Sequence, residues 1–112
     1  MKIMGLVLKL RPGCYDEYKK RHDNLWPEMA EAMRANGIYS AIFRFEEYLF
    51  VYQTAPSEEA WQRMGSDPVT PRWNKHMTEV LETNEKGEVI VFDLPLAFEF
   101  GVFARSKIKG AE

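Results

Sequence analysis

A chain of 112 residues has the length of one domain, and 46% apolar with 29% charged residues is ordinary globular composition. With 15 basic and 17 acidic residues the net charge is −2, which leaves no electrostatic footprint for nucleic acid. No apolar run nears the roughly 20 residues that span a bilayer, and the lone cysteine, Cys14, excludes an intrachain disulfide.

The N-terminus offers no signal-peptide core before Lys9 and Arg11 interrupt it, so a cytoplasmic protein is expected. The short basic clusters, Lys19-Lys20-Arg21 and the tail residues Arg105, Lys107 and Lys109, read as solvated surface.

Residues 3–10 are an apolar run stopped by Pro12-Gly13, the pattern of a buried strand. Tyr15, Tyr18, His22, Leu25, Trp26, Met29 and Met33 follow at spacings of three and four, one continuous helical stripe closed by Gly37. Pro27 lies inside that stripe. It lacks an N–H and clashes with the carbonyl of Asp23, so the helix must kink or restart there, with Asp23 or Asn24 as the expected cap.

Residues 39–45 and 48–54 alternate as strands around a Glu46-Glu47 turn, an antiparallel hairpin. Ser57 then caps a helix carrying Trp61 and Met64, and Trp61 reads as core packing. Asp67-Pro68 and Thr70-Pro71 are successive helix starts, from which Trp73, His76, Met77, Val80 and Leu81 form one stripe. After a polar turn at 84–87, residues 89–94 make the last strand.

The order β-α-β-β-α-β predicts an α+β, ferredoxin-like fold: an antiparallel sheet with helices on one face. Residues 1–94 form the domain and 95–112 a C-terminal extension of it. The strands carry apolar residues at both parities, so the second sheet face needs a cover. A homodimer, with two sheets meeting as a dimeric α/β barrel, supplies one. The tail's apolar stretch at 96–103 either crosses to that second subunit or covers an edge of its own sheet.

The residues able to carry chemistry gather on the two helical stripes. His22 reads either as a helix imidazole touching the core or as an acid/base group. Its inward position, Tyr18 one turn before it, Trp26 one turn after and the break at Pro27 point to the second. An imidazole is the side chain suited to giving or taking a proton near neutrality. Trp73 and His76, three apart, form a second pair, and Tyr39, Tyr48 and Tyr52 are strand aromatics open to a pocket or an interface.

Two histidines without an HxxxH spacing or a cysteine pair match no common zinc site, and no glycine-rich loop is present to cradle phosphate. No cofactor is expected. An aromatic wall with imidazoles suits a small polar ligand with an apolar face, such as a sugar, without singling out the reaction.

The run Tyr18-Lys-Lys-Arg-His22-Asp-Asn-Leu-Trp26-Pro27-Glu28 resembles the L-rhamnose mutarotase signature Y-x-x-x-H-x-x-[I/L]-W-P-E. Arg72-Trp73-Asn74-Lys75-His76-Met77 is similar to that family's R-W-W-x-x-M motif, and Val91-Phe92-Asp93-Leu94 to its V-F-H-L strand. The resemblance implies a dimeric ferredoxin-like enzyme that interconverts sugar anomers, with no metal or nucleotide. His22 is then the catalytic acid, Tyr18 a substrate-binding residue and Trp73 the first of two stacking indoles. Trp26, Tyr39, Asn74 and His76 complete the expected substrate site.

Three positions depart from the pattern. Asn74 replaces the second indole. The strand tyrosine has no secure equivalent, because Tyr39 and Ser40 both lie near the place. The tail is longer. The first two bear on which sugar is taken, and L-rhamnose, L-fucose or a related 6-deoxy aldose is expected. Two rival readings share the fold: a cofactor-independent monooxygenase and a non-catalytic sugar-binding module.

Overall fold

The structure, a computed structural model, describes residues 1–101. Within them run β1 (Lys2–Lys9), α1 (Tyr15–Asp23), α2 (Pro27–Ala35), β2 (Tyr39–Phe45), β3 (Tyr48–Ala55), α3 (Glu58–Ser66), α4 (Val69–Met77) and β4 (Val91–Asp93). The four strands form one antiparallel sheet in the order β2-β3-β1-β4. β1 therefore sits inside the sheet although it comes first in the chain.

Pro27 divides the first helical stripe, but not through the cap that the sequence suggests. Trp26, in extended conformation, is the N-cap of α2, and Pro27 takes the first helical position, where its missing N–H costs nothing. Asn24 instead closes α1, its backbone and side-chain amides both donating to the Lys20 carbonyl (3.0 and 2.9 Å). Asp23 pairs with Lys19 at 2.9 Å. The result is a corner from which the Trp26 ring reaches Trp73 and His76 of α4.

At the other end of α2 the chain turns through Gly37 (φ 66°). Gly37 N–H donates to the Arg34 carbonyl (3.2 Å) and Ile38 N–H to the Met33 carbonyl (2.9 Å). This is the paired-bond Schellman closure that a left-handed glycine permits. Ser57 caps α3 as expected, its hydroxyl accepting from the Ala60 N–H at 3.1 Å.

The stripe from Trp73 to Leu81 is helical only to Met77. Val80 and Leu81 are buried as expected, yet beyond the helix: Val80 lies in a turn, its N–H and that of Leu81 both donating to the Met77 carbonyl (3.1 and 3.0 Å), after which Leu81 bridges Leu10 and Glu82 N–H donates to the Lys9 carbonyl at 2.8 Å. A spacing of three and four followed by a buried apolar pair cannot distinguish helix from short strand. The final strand is likewise shorter than 89–94, because Val89 pairs with Thr83 before β4 begins.

Alternation along β3 separates two faces. Leu49 and Val51 point into the helical layer with Leu8, Leu10 and Ile42, against Tyr18, Trp73 and Met77. Leu10 and Leu49 are fully buried, each contributing about 1.5–3 kcal/mol of apolar transfer free energy. A second cluster, Ala32, Ile38, Ala55, Met64 and Val69, joins α2, α3 and α4, with Trp61 packed at its side. The opposite sheet face presents Tyr39, Phe43, Phe50 and Tyr52 to solvent. Leu96, Phe98 and Phe100 of the extension are also exposed, and residues 102–112 lie outside the described part. No helix among the described residues is long and apolar enough to cross a membrane.

Candidate active site

Five rings meet where α1, the corner at Trp26 and α4 converge. Tyr18 and His22 are one turn apart on α1, with ring centroids 4.4 Å apart. His22 meets Trp73 edge-on at 5.4 Å, and Trp26 meets the same indole edge-on at 5.1 Å. His76, one turn after Trp73, lies 5.7 Å from it and 5.1 Å from Trp26, tilted 31° to the Trp26 ring. Such edge-to-face and tilted pairs hold their geometry at about 0.5–1.5 kcal/mol each beyond the area they bury.

The environment sets each ring's protonation. His22 Nδ1 lies 3.1 Å from the Tyr18 carbonyl oxygen, which can only accept, so Nδ1 carries the proton and Nε2 keeps a free lone pair. Burial is the largest influence on His22 and pulls its pKa below 6.5, outweighing the opposing pull of that carbonyl and of Asp23. The imidazole is therefore neutral at pH 7, in the form that takes a proton. The Tyr18 phenol is buried and desolvation holds its pKa far above the ordinary tyrosine value, so it remains a hydroxyl.

Two arginines bracket the rings. Arg21 on α1 pairs with Glu17 (2.7 Å) and with Glu79 (2.9 Å), and donates to the backbone carbonyl of His76 at 2.7 Å. Arg72 on α4 pairs with Glu28 at 2.6 Å and stands over the Trp26 ring. Both clamps tie the first helical pair to α4. Arg21 is only 16% exposed, unlike its exposed neighbours Lys19 and Lys20, and so departs from the solvated cluster the sequence suggested. The Glu17/Arg21 spacing of four was its only sequence signal, and Glu79 had none.

Of the expected site residues, Tyr18, His22, Trp26, Trp73 and His76 come together. Asn74 follows Trp73 on the exposed surface of α4. Tyr39 stands apart: it is 75% exposed and shares the open sheet face with Phe43. Ser40 has the parity that faces the helices, beside Gln53, whose amide donates to its hydroxyl at 3.4 Å. Two surface concavities, of about 620 and 270 Å³, are lined by Asn36, Gln62 and Arg63 and by Tyr15, Asp16 and Arg44 respectively, and neither includes a ring of the cluster. Among the described residues no three His, Cys, Asp or Glu side chains are grouped to hold a metal ion. Cys14 packs on the core at the start of α1 and takes no part in the ring cluster.

The antiparallel α+β domain brings its helices together on a neutral imidazole, protonated at Nδ1, among indoles, a set able to accept a proton beside an apolar wall. Residues 4–95 match the L-rhamnose mutarotase family. An L-rhamnose mutarotase of Bacillus subtilis (strain 168) is 39% identical over 101 residues, 88% of this chain and 97% of that protein. One from Shouchella clausii (strain KSM-K16) is 36% identical over 82% of this chain and 91% of its own. The chain belongs to the L-rhamnose mutarotase family. The crystal structure of an L-rhamnose mutarotase from Formosa agariphila shares the fold, with a TM-score of 0.75 and 24% identity over 89% of this chain and 99% of that one.

Proposed function

We propose that this protein is an aldose 1-epimerase interconverting the α and β anomers of L-rhamnose or a closely related 6-deoxy sugar. The observation that carries the reading is His22, neutral through burial and with its Nδ1 hydrogen committed to the Tyr18 carbonyl. Nε2 takes the proton of the anomeric hydroxyl, and the imidazolium so formed gives a proton to O5 as the C1–O5 bond breaks and the C1 carbonyl forms, the acid role that the resemblance implies for His22. Rotation about C1–C2 turns the other carbonyl face to O5, and on reclosure His22 takes the proton back from O5 and returns it to O1. One positioned group of this kind contributes on the order of 10²–10⁴-fold, enough for a reaction that proceeds unaided.

Trp26 is the partly exposed indole and supplies an apolar plane for the C–H face or methyl group of such a sugar, with His76 beside it, while Trp73 and Tyr18 are buried against the core. Asn74, beside Trp73 on α4, offers an amide where the resembled motif carries an indole, a change that bears on which hydroxyls are matched. A site built to hydrogen-bond a given hydroxyl rejects an analogue lacking it by as much as about 10⁴–10⁵-fold. Tyr39 is left out of this site by its sheet face.

The strand order and one-sided helices support a ferredoxin-like description, and the open aromatic face supports a homodimer closing two sheets into a barrel. Residues 95–101 leave Leu96, Phe98 and Phe100 uncovered by their own subunit, which favours their crossing to the second one.

Saturation-transfer NMR of anomer exchange on L-rhamnose, L-fucose, L-mannose, D-galactose and D-glucose tests the reading. Faster exchange for L-rhamnose or a 6-deoxy relative is expected. No acceleration on any of them, with the protein folded, overturns it.

A further inference from the structure

The last carbonyls of α4, a nine-residue helix, have no partner within the helix and are taken up from several directions. That of Lys75 accepts from the Thr78 N–H (3.2 Å) and hydroxyl (2.6 Å), and that of Met77 from the Val80 and Leu81 N–H groups. Just beyond, Arg11 Nε donates to the Thr78 carbonyl at 3.0 Å. The His76 carbonyl is held from α1, by Arg21 Nη1 at 2.7 Å. The Val80 N–H that would close a further turn onto it donates to Met77 instead. The same Nη1 pairs with Glu79 at 2.9 Å, and Nε with Glu17 at 2.7 Å. Three acceptors thus fix a guanidinium whose side chain is only 16% exposed.

Arg21 directly precedes His22, so its grip joins the helix carrying the imidazole to the end of the helix carrying Trp73. Trp73 stands edge-on to two rings of the site, 5.4 Å from His22 and 5.1 Å from Trp26. It is the spacer between the acid/base group and the partly exposed indole. Packing with Leu10, Leu49 and Met77 keeps it in the core. Apolar packing, however, is non-directional, whereas charge-assisted bonds from a guanidinium fix direction as well as distance.

We propose that Arg21 is a positioning residue of this site: by gripping the end of α4 from α1, it sets the place of Trp73 between His22 and Trp26. The assignment rests on the mutarotase reading and deepens it. Arg21 moves no proton; it acts through main chain and one indole. A misplacement of about 1 Å near a reacting centre costs on the order of 10²-fold in rate, which sets the scale of its effect. Trp26 stands at the corner before α2, where Glu28 keeps its own pair with Arg72 (2.6 Å), so sugar binding should depend on Arg21 far less than turnover does.

The test compares full-length wild type, R21Q and R21K by anomer-exchange NMR and by the indole N–H signals of the ¹⁵N-labelled proteins. R21Q should lose about 10–10²-fold in kcat, with KM within a few-fold of wild type. R21K, whose ammonium keeps the charge without the fork, should fall between the two. The chain has three tryptophans, and Trp61, packed at the other core cluster, is the internal reference. In R21Q the Trp73 and Trp26 signals should shift while that of Trp61 stays in place, with W26F, W61F and W73F assigning the three.

An active wild type with R21Q unchanged in kcat overturns the assignment and leaves the mutarotase reading intact. So does a lost kcat with the Trp73 and Trp26 signals unmoved, or with all three displaced together, the mark of a general loosening of the fold. If R21Q does not fold, R21K carries the same readings. A wild type that accelerates no sugar overturns the mutarotase reading and the assignment with it.

Discussion

Replacing Gly37 with alanine puts two separable costs on one methyl group. The backbone there has φ 66°, and a Cβ would stand 2.7 Å from Pro56 Cγ and 3.2 Å from its Cδ. The left-handed conformation costs an alanine about 1–2 kcal/mol, and forcing a methyl into a filled contact costs about 1–3 kcal/mol. Gly13 is the internal control, with φ 76° and nothing within 4 Å of its Cβ position. The lower unfolded-state entropy of alanine enters both variants equally.

G13A should therefore lose about 1 kcal/mol and G37A about 3 kcal/mol. With a urea m-value of about 1.5 kcal/mol/M for a domain of this size, the midpoints fall by about 0.7 M and about 2 M. Urea unfolding at one fixed protein concentration keeps any self-association the same throughout. Adding Pro56→Ala should return roughly half of the G37A loss. Equal losses in the two single variants, or no recovery in the double variant, would refute the steric half of the reasoning.

H22Q should fold normally and lose on the order of 10²–10⁴-fold in anomer-exchange turnover. Its stability should also respond differently to acid. Because the folded pKa of His22 lies below 6.5, the unfolded chain binds the proton more readily. Wild-type stability is thus fully present above pH 6.5 and declines as the pH falls from there through the folded value. Thermal melts between pH 4 and 8 should show that slope diminished in H22Q, and parallel slopes would remove His22 as its source. Phe43→Asp, on the open face of an edge strand, should leave the helical core intact and give a monomer by sedimentation; an unchanged mass would show that this face is not the dimer contact. Ser57→Ala should cost about 1 kcal/mol by loss of the α3 cap, read as a shift in urea midpoint.

Strands β1, β2 and β3 were legible almost to the residue, because their apolar runs are bounded by Pro-Gly, Gly37 and the two glutamates of the hairpin. Glu46 adopts φ 55° at that turn, where glycine or asparagine is the usual choice, yet the flanking alternation was strong enough to mark the hairpin. Asp23 and Asn24 are good caps by type. Trp26 displaced them because a proline fixes the first helical position and leaves the residue before it extended. The end of α4 was illegible for a different reason: Val80 and Leu81 are equally apolar on a helix, in a turn and beside a strand, and the run is broken by tertiary pairing, Leu81 with Leu10 and Glu82 with Lys9.

At the site, periodicity placed Tyr18, His22 and Trp26 on one stripe and Trp73 with His76 on another. That the stripes face each other is a tertiary fact, fixed by the core around Leu10 and Leu49 and by the Arg21 and Arg72 clamps. Tyr39 and Ser40 were indistinguishable by position. Strand parity separates them, and it could be assigned only once the register with β3 was known.

The bond from His22 to the Tyr18 carbonyl means that the ring's orientation is held by main chain, four residues back on its own helix. Any residue at position 18 that keeps α1 helical supplies the same acceptor. The proton carrier is in that sense written into the helix itself, while the neighbouring side chains are left to drift. A lineage can then exchange the walls of this site for a new sugar, as Asn74 in place of an indole suggests, without first having to rebuild its chemistry.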